Sequence, residues 1–415
     1  MPSDRPSALS SMADHYSTAA RSQLAAFEAT HPSVLAAARD FDDAPLLVVA
    51  DLGAADGVNS HGLIRALSAV RHGRPLVYSL VDLPTNAWSL AARHIADARD
   101  ELFPGVPLIV LPSPGEVGDG IADVGTGAHF TTASAHADAI ERATRHAPVS
   151  VLVITMVGIP LQVGPSTPPG STHIAVSGTA MHWVADSGAL ASTGSVFPGY
   201  PDHVDASERT AWRAAAAQDW SRLLSHRASE LAPGGRLVIA LPASSQPWPD
   251  GDRTYREVNA DMNALLAEWH RQGRIGSTAL AALHVPTWLR TQDEIEAPFG
   301  GLGGEFNGLV LEDVTFIHLD NPYRSEDPRR FASDYTKSIA AWLLPLLLQA
   351  FSLESADAGP ALARQFLAEF EERVALDPER YRWDYTEALV TCRRAGSSAD
   401  DAAGVDDASL EPVRG

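Results

Sequence analysis

Over roughly the first 240 residues, short continuous apolar runs alternate with stretches of helical periodicity. Leu46–Ala50 is such a run and closes on Asp51, the pattern of a strand buried on both faces. Leu76–Val81 repeats it and closes on Asp82. Pro107–Leu111, Val149–Thr155, Ile174–Ala180 and Arg236–Leu241 predict four further strands. Between them, Ala13–Ala38 reads as a helix interrupted at Pro32, a second helical stretch ends at Val70, and a third covers Trp88–Asp100. Ser207–Leu231 is a long helix stopped by Pro233-Gly234-Gly235. This alternation predicts an α/β architecture, a doubly wound and mostly parallel sheet with helices on both faces.

From about Trp248 the rhythm changes. Thr254–Gln272 is helical, Ile295–Gly304 is rich in Pro and Gly, and Leu309–Leu319 alternates like a strand. Three helical stretches are expected between Phe331 and Arg373, then a last strand over Ala388–Cys392. The expected organisation is a flexible N-terminus over 1–11 and a core over 12–247 and 309–393. A mainly helical cap over 248–308 and 328–375 and a disordered tail over 394–415 complete it.

Composition narrows the function classes. The 415 residues carry 31 Lys+Arg against 52 Asp+Glu, a net charge of −21, which leaves no basic stripe for a nucleic acid. Cys392 is the single cysteine, so an internal disulfide or a cysteine-based zinc site is excluded. Lys337 is the only lysine, an arginine bias that reads as a high-GC bacterial genome. The N-terminal Ser/Pro-rich stretch has no apolar core of a signal peptide, and Ala340–Leu348 is too short to span a bilayer. The chain is expected to be cytoplasmic, without membrane or nucleic-acid partners, and with a homodimer left open.

The first strand runs into Asp51-Leu52-Gly53-Ala54-Ala55-Asp56-Gly57, the glycine turn that a nucleotide-binding core needs after its first strand. Only Gly53 and Gly57 occur in it, so the three-glycine pattern that cradles a pyrophosphate is missing. Asp82 closes the second strand, where such folds place an acid on ribose hydroxyls. A lone acid at a strand end is more often a turn cap, but the pair at this spacing favours S-adenosylmethionine over NAD. The three histidines His129, His136 and His146 lie among Asp119, Asp123 and Asp138 without tight ligand spacing; they are read as a solvated loop, and no metal is expected.

These residues resemble the SABATH methyltransferases of plant salicylate, benzoate, jasmonate and caffeine metabolism. The pieces that carry the resemblance are Tyr16 and Gln23 in an N-terminal segment, the Asp51–Ser60 loop and Asp82-Leu83-Pro84-Thr85-Asn86. Gly158-Ile159-Pro160, Met181-His182-Trp183 and Pro233-Gly234-Gly235-Arg236 follow in the family's order, with a weaker echo at Val285-Pro286-Thr287-Trp288. The match is that of a divergent bacterial member. Ala19-Ala20 stand in place of Asn-Ser, Ala54 in place of the loop Cys, and Ile159-Pro160 in place of Ser-Phe.

The resemblance implies a Rossmann-like class I methyltransferase core binding S-adenosyl-L-methionine, with S-adenosyl-L-homocysteine as product. It implies that Tyr16, Asp51 and Gly53 contact the methionyl part, that Asp82 holds the ribose, and that Leu83, Gly158, Ile159 and Pro160 surround adenine. Gln23, Trp183 and His182 would orient the carboxylate of a small acid, and Thr179 and Trp288 would shape its pocket. A carboxylic acid with pKa near about 4 is ionised at neutral pH, so no general base is needed. The expected reaction is therefore in-line O-methylation of a small aromatic or apolar carboxylic acid. The alternatives are N- or O-methylation of a heterocycle or phenol, with His182 as the available base, and a non-catalytic binder of cofactor or acid.

Overall fold

The apolar runs become neighbouring strands of one sheet in the computed structural model, which describes residues 16–102, 108–111, 152–185, 190, 206–245 and 256–396. The strands are β1 (Leu47–Leu52), β2 (Leu76–Asp82), β3 (Leu108–Leu111), β4 (Leu152–Gly158), β5 (Thr172–Gly178), β6 (Leu231–Pro242), β7 (Glu305–Phe306), β8 (Leu309–Leu319) and β9 (Tyr385–Arg394). Their order is β3-β4-β2-β1-β5-β6-β9-β8-β7. The six strands from β3 to β6 pair in parallel, and β9, β8 and β7 add an antiparallel margin. All six residues of β1 are buried, because helices cover both faces of a parallel sheet.

Two apolar cores lie on the two faces. One gathers Phe27, Val34, Leu63, Leu67, Tyr78 and Ile154, and the other gathers Leu52, Trp220, Leu224, Leu237, Ile239 and Val390. A third core joins Met262, Trp269, Phe331, Tyr335, Phe351 and Phe370. It unites helix Arg256–Arg271 with helices Pro328–Phe351 and Gly359–Leu376. Trp183 packs on its margin, which brings this helical part beside the end of β5.

Several expectations are corrected. The N-terminal helix does not break at Pro32: it breaks at Ala20, and Arg21–Asp40 runs through the proline. A proline removes one helical N–H, but burial of Phe27, Val34, Ala37 and Ala38 along one face outweighs that loss. The same reasoning holds for Pro345 within Pro328–Phe351, so the region from Phe331 to Arg373 contains two helices rather than three. Pro233-Gly234-Gly235 does not precede β6 but lies inside it. The register with β5 jumps from Thr172↔Leu231 to Ile174↔Arg236, and Gly234 takes a φ of 78° there. Arg394, expected to begin the tail, ends β9 opposite Leu309. The expected flexible start, the three-histidine segment and residues 397–415 of the tail lie outside the described residues.

Candidate active site

The polar residues singled out in the sequence gather at the carboxyl ends of four adjacent strands, β4, β2, β1 and β5. Chain order runs from β1 to β2 on one side, while β5 lies on the other, so this is the point where doubly wound sheets open a crevice. The loops at these ends are tied to neighbouring strands. Gly53 N and Ala54 N donate to the Val81 carbonyl at 2.7 and 3.1 Å, Ile159 N donates to Asp82 O at 2.8 Å, and Thr179 N donates to Ala240 O at 2.8 Å.

An open cleft of about 630 Å³, including the solvent at its mouth, lies there. Tyr16, Gly53, Asp82, Leu83, Ile159, Thr179 and Trp183 line it, joined by Ala55, Leu161, Gln162, Gly178 and Ala180. A smaller recess of about 320 Å³ shares Tyr16, Gly53 and Thr179 and adds Gln23, Phe27, Asp51, Asn59 and Ser60. Together they bring nine of the thirteen expected site residues to adjoining cavities. Gly158 lies opposite Asp82 in the β2–β4 register and Pro160 follows Ile159, but neither lines the cleft.

Asp82 is held from both sides. Oδ2 accepts from Ala55 N at 2.7 Å and Oδ1 from Leu83 N at 2.7 Å, while burial raises its pKa above the usual carboxylate value. A carboxylate offers about four lone-pair sites, so two remain for hydroxyl donors of a ligand. Asn86 completes the arrangement by donating to Ala55 O at 2.6 Å. Ala55 thus has both backbone groups engaged, which offsets its left-handed φ of 49°. Asn86 stands in the quoted D-L-P-x-N motif, yet nothing in the sequence shows that it reaches the glycine loop.

Asp51 has a different environment from the one expected. Its Oδ2 accepts from Ser60 Oγ at 2.6 Å and from Tyr78 Oη at 2.8 Å, and burial pushes its pKa up to about 6. A carboxyl whose folded pKa exceeds its unfolded value binds more protons when folded, so stability falls as pH rises through that window. Wild-type protein is therefore expected to gain thermal stability relative to Asp51→Asn as pH drops from about 6 towards 4. Melting curves of both proteins across that range check it, and a difference independent of pH would refute this burial effect.

The N-terminal segment reaches the site by docking. Ser17 N donates to Asp56 Oδ2 at 3.3 Å and Ser17 Oγ bonds to Oδ1 of the same side chain. Tyr323 Oη donates to Ala19 O at 2.7 Å, and Ser22 N lies 3.3 Å from that hydroxyl. The helix break at Ala20 is thereby clamped from residues 300 positions away in sequence, a relation no local pattern records. Tyr16 is half-buried at the junction of both cavities, with its pKa raised chiefly by desolvation and opposed by a hydrogen bond from the Thr179 side chain. Gln23 Oε1 accepts from Ser22 Oγ at 2.9 Å, which leaves its amide N–H groups for the recess.

The end of β5 supplies the rest. Thr179 adopts a φ of 58°, unusual for a β-branched residue and a strain that its surroundings hold in place. His182 does not line the cleft. Burial, with Arg290 nearby, lowers its pKa to about 3, so the ring is neutral at physiological pH. Trp288, expected to wall the substrate pocket, instead buries its indole against Val184, Trp212 and Ala216. Its Nε1 donates to Glu294 Oε2 at 3.0 Å, because a buried indole N–H needs an acceptor. Segment 285–288 still matters to the site, since it pairs with 182–184 through Val184 N to Pro286 O at 2.7 Å and Trp288 N to His182 O at 2.9 Å.

Among the described residues no group of three or more metal-ligating side chains occurs, and no helix is long and apolar enough to cross a membrane. No protein-family model matches the chain. It is similar to gibberellic acid methyltransferase 2 of Arabidopsis thaliana, 22% identical over 224 residues, or 51% of this chain and 56% of that protein. The chain thus aligns with little more than half the length of the curated relative it matches. The structure of a loganic acid methyltransferase with SAH shares the fold, with a TM-score of 0.66 at 15% identity, covering 94% of this chain and 99% of that one. The chain thus resembles the SABATH carboxyl methyltransferases in motif order, and it is similar in sequence to one methyltransferase and in fold to another.

Proposed function

We propose that the protein is an S-adenosyl-L-methionine-dependent O-methyltransferase that converts a small, aromatic or apolar carboxylic acid to its methyl ester. The observation that carries this reading is the polarity of the cleft. Asp82 is the one charged residue among the described residues that line it, and Trp183, Gln162 and Thr179 contribute neutral polar groups. That suits a ligand whose ribose hydroxyls meet an acid and whose cationic sulfonium meets no competing guanidinium or ammonium. The two relatives named above act, by their names, on carboxylic acids of this size class.

When bound, S-adenosyl-L-methionine supplies an electrophilic methyl group. The residues of the chain bind, orient and exclude water. Asp82 would accept the ribose hydroxyls, and Leu83 and Ile159 would pack against adenine, with Gly158 and Pro160 flanking Ile159 in the chain. Tyr16, Gly53 and Asp51 border the amino-acid end. Gln23 and Trp183 donate N–H groups that hold one carboxylate oxygen and aim the other. Neutral donors orient the anion while leaving it nucleophilic, and orientation of this kind contributes up to about 7–11 kcal/mol of the barrier. The low pKa of His182 makes it a weak base, which disfavours the alternative of methylating a phenol or ring N–H that must first be deprotonated. The helices Arg256–Arg271, Pro328–Phe351 and Gly359–Leu376 serve as the cap on the acceptor side.

The test is incubation with methyl-labelled S-adenosyl-L-methionine and a panel of aromatic and aliphatic acids. Base-labile methyl esters are the expected product, and cofactor binding without transfer to any acid would instead favour a non-catalytic binder. Trp183→Ala is expected to lower kcat/KM for the acid by about 10–100-fold, the range for losing a positioned hydrogen-bond donor and its packing. Cofactor affinity in the same variant should stay within about threefold. Equal loss of both, in titration and kinetics, would remove Trp183 from the acceptor side.

A further inference from the structure

The segment that carries Trp183 has almost no regular structure of its own, yet three successive carbonyls in it are held individually. The Met181 carbonyl accepts from Arg290 Nη1 at 3.0 Å, that of His182 from Trp288 N at 2.9 Å, and that of Trp183 from Gln162 Nε2 at 3.1 Å. Only the middle bond belongs to a backbone pairing, the isolated bridge Trp183↔Thr287. Arg290 is 1% exposed, and its second nitrogen donates to Ala216 O at 3.0 Å in the helix Ala206–Glu230. Its guanidinium lies over the Trp220 ring, 5.0 Å from the centroid. Asp219, fully buried on the same helix, acts on it as an opposing charge, and Arg222 lies 3.7 Å from Asp219.

Burying an arginine this deeply carries a desolvation cost that carbonyl hydrogen bonds alone do not offset. Its carboxylate neighbour and two fixed carbonyls give it a single pose. A rigid strut thus runs from the long helix to the carbonyl two residues before Trp183.

We infer that Arg290 is a positioning residue for Trp183, fixing through the Met181 carbonyl the direction in which the indole faces the acceptor. The inference rests on the proposed function for its kinetic consequence, though the strut itself is a matter of geometry. Misplacement of an orienting group by about 1 Å is enough to cost about 100-fold in rate.

The experiment uses the full chain labelled with 5-fluorotryptophan, in which Trp183→Phe identifies the Trp183 resonance by its disappearance. In Arg290→Met that resonance should shift or split, with Trp220 as the other affected signal. The kcat/KM for the best acid of the panel should fall about 10–100-fold, with S-adenosyl-L-homocysteine affinity within about threefold of wild type. In the Trp183→Phe background, Arg290→Met should add less than about threefold, because its effect passes through the indole. If Arg290→Met does not fold, Arg290→Lys, which retains the charge opposite Asp219 but reaches one carbonyl, should show the same resonance shift with a smaller kinetic loss. An unmoved Trp183 signal in a folded variant, or fully additive losses in the double variant, would overturn the inference. Wild-type protein that methylates no acid would overturn the proposed function alone, because the resonance shift still reports on the strut.

Discussion

Gly53→Ala is expected to abolish measurable cofactor binding and to lower thermal stability, the largest effect of any single-atom change at the site. Gly53 sits at a φ of 89°, a region that L-residues with a Cβ avoid at a cost of about 1–2 kcal/mol. A Cβ built there would lie 2.2 Å from the Ala180 Cβ. Ala180 cannot retreat easily, since Thr179 N is bonded to Ala240 O and the next residues are held by the carbonyl contacts around Met181. Relief therefore requires the β1 turn to shift away from Val81, whose carbonyl both Gly53 N and Ala54 N use. Overpacking of this kind adds about 1–3 kcal/mol. The consequence for function is greater than that for stability, because the same turn borders both cavities. Calorimetric titration with S-adenosyl-L-homocysteine and a melting curve test it together. Near wild-type values in both would show that the glycine turn is not the cofactor cradle.

Asp82→Ala is expected to weaken S-adenosyl-L-homocysteine binding by about 100-fold or more while leaving the fold largely intact. Two hydroxyl donors to a carboxylate contribute about 1.5–3 kcal/mol each, so the loss of both, about 3 kcal/mol or more, reaches two orders of magnitude. A second loss accompanies the first. The Ala55 and Leu83 N–H groups now engaged by the two carboxylate oxygens would lose their partners, and Ala55 would keep its left-handed conformation through Asn86 alone. Asp82→Asn separates the two contributions, since one amide oxygen can still serve one backbone donor. It should fall between wild type and Asp82→Ala. Unchanged affinity in Asp82→Ala would eliminate its ribose role.

These effects stand at different distances from the sequence. Asp51, Gly53 and Asp82 are legible because strand-buried apolar runs end on them, and a strand end is a local property. Leu83 and Ile159 become legible only through the resemblance, and the cleft receives both. His182 and Trp183 are adjacent in the chain, yet Trp183 lines the cleft and His182 does not, a distinction set by the contacts that hold the segment. Trp288 was misplaced for the same reason. Its spacing after Pro286 is visible, but the acceptor that holds its indole N–H, Glu294, belongs to the next helix. Pro32 and Pro345 both lie inside continuous helices, because the burial of a continuous apolar face outweighs one missing hydrogen bond.

The sequence by itself determined the parallel core, the order of its strands along the chain, the glycine turn and the acid that follows the second strand. Each of these is written in contacts between near neighbours or in the periodicity of burial. Only the tertiary structure decided how Tyr323 clamps the helix break at Ala20, how Asn86 secures Ala55, and how Arg290 reaches the Met181 carbonyl. Those bonds join segments that are 304, 31 and 109 positions apart. Their partners are chosen by the packing of helices on the sheet, and a single chain read in order carries no trace of which donors that packing will bring to which carbonyls.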